Sequence, residues 1–536
     1  MTDSTLPPLI QQMLKPEFYP HPVANATALT SSNVHVEYPE EFYPPSPTAV
    51  QLIQTHISYV LLTGEFAYKI KKPLDFGFLN YSTLEARQHF CQEELRLNQR
   101  GAAEVYLEVV PITQTGEHYQ IGGSGEVVEY AVKMRQFPQD TLLTNLFEQG
   151  ELTPALIQEL ARVIAEFHSK TTTNDYIRSF GVVERVRQAF DENFAQTEQY
   201  IGGPQTQQQF DETQAYCNRF FAEQAHLFQQ RIQADCIREC HGDLHLRNIA
   251  YWNNHLLLFD CIEFNEPFRF VDVMYDVAYI VMDLEARQRR DLSTLFLNTY
   301  TEQTGDWQGL QVLPIYVSRQ TYVRAKVTCF LLNDPGVPES EKRVAAETAA
   351  LYYRLAWQYS QTQKGRLIMM SGLSGSGKST TARIVAEKIG AIHIRSDAVR
   401  KHLGGVPLQE RGGADLYTPE MHQKTYDRLL ELGITLAQQG YSVILDAKYD
   451  RQTWRQAVIE QANTATLPLQ ILHCDAPLDV LRTRLQQRTG DIADATADLL
   501  AKQHLDPFTA VEQPYLTTVD TTQNVEQQLT ALTDTP

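Results

Sequence analysis

The sequence contains no run of about 18 apolar residues, so it offers no segment that would span a membrane as a helix. Its first ten residues include Asp3 and two prolines and lack the basic and apolar stretches of a secretory signal. Cysteine is sparse, with 7 residues spread along the chain and no CxxC pair. A large chain of this kind is typical of a reducing compartment, so we expect a cytoplasmic protein without structural disulfides.

Positive charge is also scarce. Lys and Arg number 46 against 65 Asp and Glu, which gives a net charge of −19. This field disfavours binding along a nucleic-acid backbone, although it leaves room for a pocket that binds one phosphorylated ligand. What is present is an ordinary globular composition, 43% hydrophobic and 21% charged. At about 150 residues per domain, the 536 residues suffice for two large domains or three to four smaller ones.

Changes of pattern divide the chain into an N-terminal arm and two predicted domains. The arm is rich in proline and aromatic residues and is predicted to be irregular, with one short helix near Leu9 to Leu14. The first domain is predicted to have a small α+β lobe followed by a helical lobe. A polar segment at 361–365 is the predicted boundary to the second domain. The predicted divisions are 1–48 for the arm, 49–360 for the first domain (lobes at about 49–150 and 151–360) and 366–536 for the second.

Four β-like runs and one helix are predicted in the small lobe. A capping-box pattern from Ser82 to Glu85 would begin the helix, which extends to about Asn98. The β-like runs, of which the first two form a hairpin, are 57–63, 66–72, 106–112 and 127–137.

A phosphate-binding loop lies near the start of the second domain. Residues 372–379 match the P-loop pattern directly after an apolar strand and before a helix. Glycines at such positions let backbone N–H groups turn toward phosphates, Lys378 would reach the β- and γ-phosphates, and Ser379 would hold Mg²⁺. The predicted nucleotide-binding residues are Gly372, Ser374, Gly375, Ser376, Gly377, Lys378, Ser379 and Thr380.

The rest of this domain alternates short apolar runs with helical patterns, which predicts an α/β fold with a parallel sheet. Asp446 ends one apolar run and would support Mg²⁺ in the Walker B position. The alternative is a strand-end aspartate that caps the next turn.

Two further sets of charged residues are candidates in this domain. Asp397 could accept the proton of an acceptor hydroxyl, and Arg400 could hold an anionic substrate. The alternative is an N-cap aspartate with a surface arginine. Arg482, Arg484 and Arg488 lie on one helical segment and could close over the nucleotide, or they could simply form a solvated face.

Together, these residues resemble the small P-loop kinases, a group that includes gluconate kinase, polynucleotide kinase and the zeta-toxin-like kinases. The resemblance covers about residues 366–520 and implies a kinase, with the acceptor left open.

The first domain carries a second candidate site. Asp243 and Asn248, in His241-Gly242-Asp243-x4-Asn248, have the spacing of kinase-type catalytic loops. Asp243 would act as the base, and Asn248 would hold a metal ion on the nucleotide. Asp260 follows an apolar strand, where a kinase-like fold places its second metal ligand.

Upstream residues complete this constellation. Lys69, on the second strand of the hairpin, could contact the α- and β-phosphates, with Glu94 as its partner and Glu93 as an alternative. Asp276 has the position of the aspartate that braces a catalytic loop.

The first half therefore resembles the aminoglycoside phosphotransferases and choline kinases over about residues 50–340. The resemblance implies a bilobal, protein-kinase-like α+β fold. The whole chain resembles bacterial proteins in which such a domain precedes a P-loop kinase domain. One departure is that no G-x-G-x-x-G precedes Lys69, only Thr63-Gly64-Glu65, which disfavours a protein kinase more than a small-molecule kinase.

A zinc site is an alternative use of the same segment. Cys236, Cys240, His241 and His245 are four potential ligands within ten residues, but their spacing is not that of a zinc knuckle. The catalytic-loop interpretation explains His241 better.

The sequence thus predicts an ATP- and Mg²⁺-dependent enzyme with two phosphotransfer sites, each acting on a hydroxyl of a small molecule. In one alternative, one domain is a nucleotide sensor that regulates the other. In another, the P-loop half phosphorylates 5′-hydroxyl ends of nucleic acids, although a nucleic-acid partner is not expected for so acidic a chain.

Overall fold

The computed structural model describes residues 6–23, 50–361, 363–488, 490–501 and 503–533. Most of the predicted arm, residues 1–5 and 24–48, lies outside these described residues. The chain forms two compact units that are interleaved in sequence. Unit 1 contains the described residues up to Thr153 with Glu166–Asp283 and Ile315–Gln358, and unit 2 contains Pro154–Ala165, Leu284–Pro314 and the described residues from Tyr359 onward. The domain boundaries expected from the sequence stay predictions.

The N-terminal part of unit 1 is built on an antiparallel sheet of six strands in the order β1-β2-β3-β6-β4-β5. The hairpin and the two later strands predicted from sequence are confirmed, whereas β1 and β5, of four residues each, were not predicted. The elements are α1 (Pro8–Met13), β1 (Gln51–Gln54), β2 (Ser58–Leu62), β3 (Phe66–Lys71), α2 (Leu84–Ala102), β4 (Tyr106–Thr115), β5 (His118–Ile121), β6 (Glu126–Arg135) and α3 (Leu143–Glu148).

Helix α2 begins one residue later than the capping-box pattern indicated. Thr83 is the N-cap, and its hydroxyl accepts a hydrogen bond from the Ala86 N–H at 3.1 Å. Ser82 is instead engaged with the Asn80 side chain, at 2.6 Å between the two oxygen atoms. The helix also extends beyond Asn98, to Ala102.

The middle of the chain is mainly helical, as the sequence predicted. Two short antiparallel sheets of two strands each, β7 with β10 and β8 with β9, interrupt the helices. The elements are α4 (Pro154–Lys170), α5 (Asp175–Arg178), α6 (Val183–Thr197), α7 (Gln207–Glu223), α8 (Ala225–Gln233), β7 (Ile237–Glu239), β8 (Ile249–Trp252), β9 (His255–Leu258), α9 (Glu266–Arg269), β10 (Phe270–Asp272), α10 (Val273–Ala286), α11 (Arg290–Thr304), α12 (Leu313–Phe330) and α13 (Glu339–Ser360).

Unit 2 has a parallel sheet of five strands in the order β12-β13-β11-β14-β15. This confirms the predicted α/β P-loop fold, and β15 is an additional edge strand. Its elements from residue 366 onward are β11 (Arg366–Ser371), α14 (Lys378–Ile389), β12 (Ile392–Arg395), α15 (Ser396–Leu403), α16 (Pro419–Gln438), β13 (Ser442–Asp446), α17 (Gln452–Thr464), β14 (Leu469–Asp475), α18 (Leu478–Gln487), α19 (Ala497–Leu500), β15 (Leu516–Asp520) and α20 (Val525–Thr533).

The core of unit 2 follows from the burial of this sheet on both faces. Strand β11 is buried from Leu367 to Ser371, and apolar residues of α14 such as Ala382 and Val385 pack against the sheet. A parallel sheet places the carboxyl ends of its strands at one edge, where the P-loop follows β11 and Asp446 ends β13.

Residues 6–23 pack against the sheet of unit 1. Ile10, Met13 and Tyr19 are buried in one apolar cluster with residues of β2 and β3. The short helix predicted near Leu9 to Leu14 is present as α1. Among the helices of the described residues, none is both long and apolar enough to cross a bilayer.

Candidate phosphotransfer sites

In unit 1, two lysines of β3 share one glutamate of α2. Lys69 Nζ lies 2.8 Å from Glu94 Oε1, and Lys71 Nζ lies 2.6 Å from the other oxygen, Oε2. Alternation along the strand puts both lysines on one face, and Glu94 is fully buried between them. Burial opposes ionisation of Glu94, but the two lysines outweigh it and lower its pKa to about 2. Glu94 therefore forms a buried network of ion pairs with Lys69 and Lys71.

Each lysine has a second carboxylate partner from the segment after β9. Lys69 Nζ lies 2.7 Å from Asp260 Oδ1, and Lys71 Nζ contacts Glu263. Glu263 also accepts a hydrogen bond from the Tyr81 hydroxyl. Glu263 was not among the predicted site residues. The only sequence signal was its place three residues after Asp260.

The alternative partner, Glu93, does not face the strand. Its carboxylate pairs with Arg96 at 2.8 Å on the surface of α2. The geometry thus selects Glu94, while the contact of Lys69 with nucleotide phosphates stays a prediction.

The catalytic-type loop brings Asp243, His245 and Asn248 together. Asn248 Nδ2 donates to the Asp243 carboxylate at 3.3 Å and to its backbone carbonyl at 3.0 Å. His245 Nε2 lies 3.3 Å from Asp243 Oδ2. Burial opposes ionisation of Asp243, but His245, His241 and Arg324 outweigh it and hold its pKa below the usual value. Asp243 is therefore a carboxylate at neutral pH and able to accept a proton.

Asp276 braces this loop, in the position expected from the sequence. Its carboxylate accepts hydrogen bonds from the backbone N–H groups of His241 at 2.8 Å and Gly242 at 2.9 Å. His168 Nε2 lies 3.2 Å from the same carboxylate. Gly242 has a φ of +87°, and a Cβ there would lie 2.6 Å from the Phe268 carbonyl, so only glycine fits this turn.

The two predicted metal ligands flank a pair of antiparallel strands, with Asn248 directly before β8 and Asp260 two residues after β9. The Phe259 N–H donates to the Asn248 carbonyl at 3.0 Å, which places Asp260 beside the end of the catalytic loop. Asp260 adopts a left-handed φ of 63°, unusual for a residue other than glycine, and its side chain is 47% exposed. Carboxylate and amide oxygens are ligands that Mg²⁺ accepts, so the donor set fits the ion.

The zinc alternative is not supported by the geometry. Of its four residues, only Cys240 belongs to a group of three potential ligands among the described residues, together with His168 and Asp276. His241 Nε2 is bonded to the Phe259 carbonyl at 2.8 Å.

In unit 2, the P-loop has the backbone that its glycines predicted. Gly372, Gly375 and Gly377 have φ angles of 139°, 82° and 90°. A Cβ at Gly372 would lie 2.4 Å from the Cys474 carbonyl, and one at Gly375 would lie 2.8 Å from the Leu481 carbonyl. Helix α14 begins at Lys378 directly after the loop, so its free N–H groups face the loop.

The polar groups of the loop fit a phosphorylated ligand. Lys378 is buried and donates to the Leu373 carbonyl at 2.8 Å, with no carboxylate at ion-pair distance among the described residues. Burial lowers the pKa of Lys378, with Asp446 acting in the opposite direction. The Ser376 hydroxyl is buried without a hydrogen-bond partner in the described part of the chain. A buried cation and a free hydroxyl beside a helix N-terminus are features that an anion would satisfy.

Asp446 is not the cap of the next turn. Its Oδ2 lies 2.9 Å from His393 Nε2 on the neighbouring strand β12. Burial opposes ionisation of Asp446, but the bond to His393 outweighs it and lowers its pKa to about 2. Asp446 is thus an oriented carboxylate beside the P-loop, which fits an outer ligand of Mg²⁺.

Asp397 and Arg400 lie on α15. Asp397 is not the N-cap of this helix and Arg400 is not on the surface, so the alternative interpretation of the two residues is not supported. The N-cap of α15 is Arg395, and Asp397 is in the first turn without a hydrogen bond or ion pair to any described residue. Burial raises the pKa of Asp397, partly offset by Arg395 and Arg400. Arg400 is buried, and its Nη1 donates to the Leu416 carbonyl at 3.2 Å. The roles in catalysis and substrate binding stay predictions.

The three arginines of the α18 segment have different environments. Arg484 donates to Thr521 at 2.8 Å and to the P-loop carbonyl of Gly375 at 3.4 Å. Arg488 donates to the carbonyl of Ala495, and Arg482 is exposed. Arg484 therefore contacts the P-loop itself, and closure of Arg484 and Arg488 over a nucleotide stays a prediction.

Sequence reasoning missed His393 and a glutamine that binds the P-loop. Gln503 accepts from the Ser374 N–H at 3.0 Å and donates to the Ser374 hydroxyl at 2.9 Å. Neither residue belongs to a motif, and both contacts join segments far apart in sequence. Register between strands, which the sequence does not state, brings His393 to Asp446.

These two sites, a lysine–glutamate pair with a catalytic-type loop and a P-loop on a parallel sheet, define the class of the protein. It is a phosphotransferase of the kinase class.

Comparisons with known proteins agree with this class. Residues 367–507 match the family described as AAA domain. Uncharacterized protein Rv2004c of Mycobacterium tuberculosis is 31% identical over 456 residues, which cover 84% of this chain and 89% of that protein. This chain belongs to the family of that mycobacterial protein. The adenylyl-sulfate kinase of Myxococcus xanthus is 29% identical over 161 residues, covering 28% of this chain and 76% of that enzyme.

Among solved structures, amicoumacin kinase hAmiN in complex with AMP-PNP, Ca²⁺ and Ami is similar to the first part of the chain. It is 12% identical, the match covers 60% of this chain and 94% of that chain, and the TM-score is 0.35.

Proposed function

We propose that this chain is a cytoplasmic, bifunctional ATP- and Mg²⁺-dependent kinase, in which each unit transfers the γ-phosphoryl group to a hydroxyl of a small molecule. The observation that carries the proposal is that each unit brings together side chains of the kinds that this reaction uses. Unit 1 has Lys69, Asp243, Asn248 and Asp260, and unit 2 has the P-loop with Lys378 and Asp446.

In unit 1, the Asp243 carboxylate orients the acceptor hydroxyl and takes its proton as the new O–P bond forms. The bond between the γ-phosphorus and ADP breaks in the same displacement. Lys69 leaves Asp260 for the α- and β-phosphates, and Asn248 and Asp260 are the residues that would hold Mg²⁺. The ion supplies neutralisation of the phosphate charge when it is bound.

In unit 2, the N–H groups of the P-loop and Lys378 bind the phosphates, while Ser379 and Asp446 would hold Mg²⁺. Asp397 accepts the proton of the acceptor hydroxyl, and burial raises its pKa, which makes its carboxylate a stronger base. The likeness of part of this chain to an adenylyl-sulfate kinase supports a kinase activity.

Separate inactivation of the two sites tests the proposal. Asp243→Ala and Lys378→Ala, made singly in the full chain, should each remove part of the ATP turnover in the presence of a metabolite extract, and the double variant should remove all of it. Asp211→Ala and Lys388→Ala, at exposed positions on α7 and α14, are the matched controls.

The products formed from γ-labelled ATP identify which acceptor belongs to which site. Unchanged turnover in both single variants would contradict the two-site proposal. Loss of all turnover in one variant, with ATP still bound at the other site, would instead favour a regulatory nucleotide sensor.

A further inference from the structure

Helix α11 belongs to unit 2 although it lies more than sixty residues before the P-loop. The segment matched by the AAA domain family begins only at residue 367. Within unit 2, α11 packs against β12, which is an edge strand of the parallel sheet. The helix therefore covers an edge that would otherwise expose unpaired backbone groups.

Asn298 makes this contact with both atoms of its amide. Its Nδ2 donates to the Ala391 carbonyl at 2.9 Å, and its Oδ1 accepts from the His393 N–H at 2.8 Å. The Asn298 amide thus forms hydrogen bonds with the backbone of the residues before and after Ile392, as the backbone of a neighbouring strand would. The bond to the His393 N–H fixes the residue whose imidazole holds Asp446.

The next link joins β12 to the predicted Mg²⁺ ligand. His393 Nε2 lies 2.9 Å from Asp446 Oδ2, and both side chains are nine-tenths or more buried. A buried imidazole held by its own backbone has little freedom to rotate, so the orientation of the Asp446 carboxylate depends on the position of β12.

Glu302 lies one turn after Asn298 on α11 and reaches the other end of β12. Its Oε2 is 3.6 Å from Arg395 Nη1, and its backbone carbonyl is 2.8 Å from His402 Nε2. Arg395 also pairs with Asp491 and is the N-cap residue of α15, which carries Asp397 in its first turn. The two residues of α11 thus fix the segment that leads to the proposed base.

We infer that Asn298 and Glu302 of α11 are positioning residues of the P-loop site: Asn298 orients the Mg²⁺ ligand Asp446 through His393, and Glu302 sets α15 and Asp397 through Arg395. The inference rests on the proposed function of this site. In this inference α11 contributes to the P-loop site, although the segment that matches the AAA domain family begins only at residue 367.

Metal binding separates this role from simple edge protection. In a full chain carrying Asp260→Asn to weaken the first metal site, Mn²⁺ binding is measured by electron paramagnetic resonance with a non-hydrolysable ATP analogue. Asn298→Leu should weaken Mn²⁺ binding roughly tenfold, the size of effect typical when the partner of a metal ligand, here His393, no longer holds that ligand in place. Thr299→Ala, which removes only a hydrogen bond to Leu295 within α11, is the matched control and should leave it unchanged.

A double-mutant cycle tests the route through His393. His393→Ala should weaken Mn²⁺ binding by a similar factor, and adding Asn298→Leu to it should have little further effect because both act on Asp446. Additive effects, or an unchanged Mn²⁺ affinity in Asn298→Leu, would overturn the inference. If the Asp260→Asn chain binds neither the nucleotide analogue nor Mn²⁺, it is the proposed function of the P-loop site that fails.

A second variant tests the role of Glu302 separately from that of Asn298. Glu302→Gln keeps the size of the side chain and removes the charge facing Arg395. It should lower kcat for the ATP turnover that depends on Lys378 and leave Mn²⁺ affinity unchanged. An unchanged kcat would overturn the part of the inference that concerns Glu302.

Discussion

Glu94 forms ion pairs with two lysines, Lys69 and Lys71, so it keeps one cationic partner if the other moves away. In the proposed reaction Lys69 turns toward the nucleotide, and Lys71 would still pair with Glu94 and with Glu263. Glu94 is therefore never left as an unpaired buried charge, whose cost would be several kcal/mol. The Lys71–Glu94 ion pair therefore joins β3 to α2 independently of Lys69, and Glu263 adds a contact from the segment after β9.

Loss of Lys71 should therefore destabilise unit 1 strongly. Lys71→Met leaves Glu263 buried without its cation, and removal of one partner of a buried pair costs roughly 3–5 kcal/mol. Urea unfolding monitored by circular dichroism measures the change. Lys170→Met is the control, because its pair with Glu166 is largely exposed and contributes about 0–1 kcal/mol. Equal costs for the two variants would show that the buried network is not stabilising.

Lys326 on α12 predicts a pH dependence of stability. Its Nζ donates to the amide oxygens of Asn193 at 2.6 Å and Gln196 at 3.0 Å, and no carboxylate lies at ion-pair distance in the described part of the chain. Burial, reinforced by Arg319, lowers the pKa of Lys326 to about 8. In the unfolded chain a lysine titrates near its ordinary pKa of about 10.4, so between about pH 8 and 10 the unfolded state binds more protons than the folded one.

The stability of the chain should therefore rise with pH across that window because of Lys326, by on the order of 1–3 kcal/mol. Lys326→Met should remove this rise and leave the rest of the profile unchanged. The measurement is the free energy of unfolding of both proteins from pH 7.5 to 10. Parallel profiles for the two proteins would mean that Lys326 titrates normally.

At the scale of elements, residues 6–23 have a structural role that their composition did not reveal. Ile10 and Met13 of α1 are buried against the sheet, and the Tyr19 hydroxyl donates to the Met13 carbonyl at 2.7 Å. His21 Nε2 lies 2.9 Å from the hydroxyl of Tyr68 on β3, the strand that carries Lys69. The segment is thus part of the small lobe.

Truncation of the buried α1 side chain should lower stability. Ile10→Ala should cost roughly 2–5 kcal/mol, because it removes a side chain that is 2% exposed and leaves a cavity. Thermal unfolding measures the shift. Leu9→Ala, at a partly exposed position of the same helix, should cost clearly less. A negligible loss in Ile10→Ala would show that α1 is not docked on the sheet.

The elements that sequence reasoning identified are those with a strong local pattern. The β3 hairpin, α2, α14 and the strands β11 to β14 of unit 2 each carry an apolar period or a turn signal. The strands β1, β5 and β15 were missed because they are short edge strands, whose pairing with a neighbour rather than their composition defines them. The start of α2 was placed one residue early because Ser82 and Thr83 are both good caps and only the bond of Ser82 to Asn80 decides between them.

At the scale of the whole molecule, the presence of two sites predicts the number of nucleotides bound. Calorimetric titration with a non-hydrolysable ATP analogue and Mg²⁺ should give two per chain. Gly372→Ala should reduce this to one, because the added Cβ would lie 2.4 Å from the Cys474 carbonyl and the loop could not keep its φ of +139°.

Gly405→Ala is the control for this experiment. It also has a positive φ, but a Cβ there would meet nothing within 4 Å, so binding of two nucleotides should persist. A single nucleotide per chain in the unaltered protein would contradict the two-site proposal.

The net charge of −19 further predicts no steeply salt-dependent binding of short oligonucleotides, and such binding would favour the polynucleotide kinase alternative.

The sequence by itself determined the class of each half, because the chemistry of a P-loop or a catalytic loop resides in neighbouring residues. Asp243 with Asn248, and Gly372 to Ser379, are local motifs whose geometry follows from a few backbone angles. Only the tertiary structure decided which distant groups support them. Glu263 beside Lys71, Gln503 on the P-loop, and Asn298 behind His393 and Asp446 are brought together by strand register and helix packing. Register and packing depend on the burial of whole elements, which a local pattern does not encode.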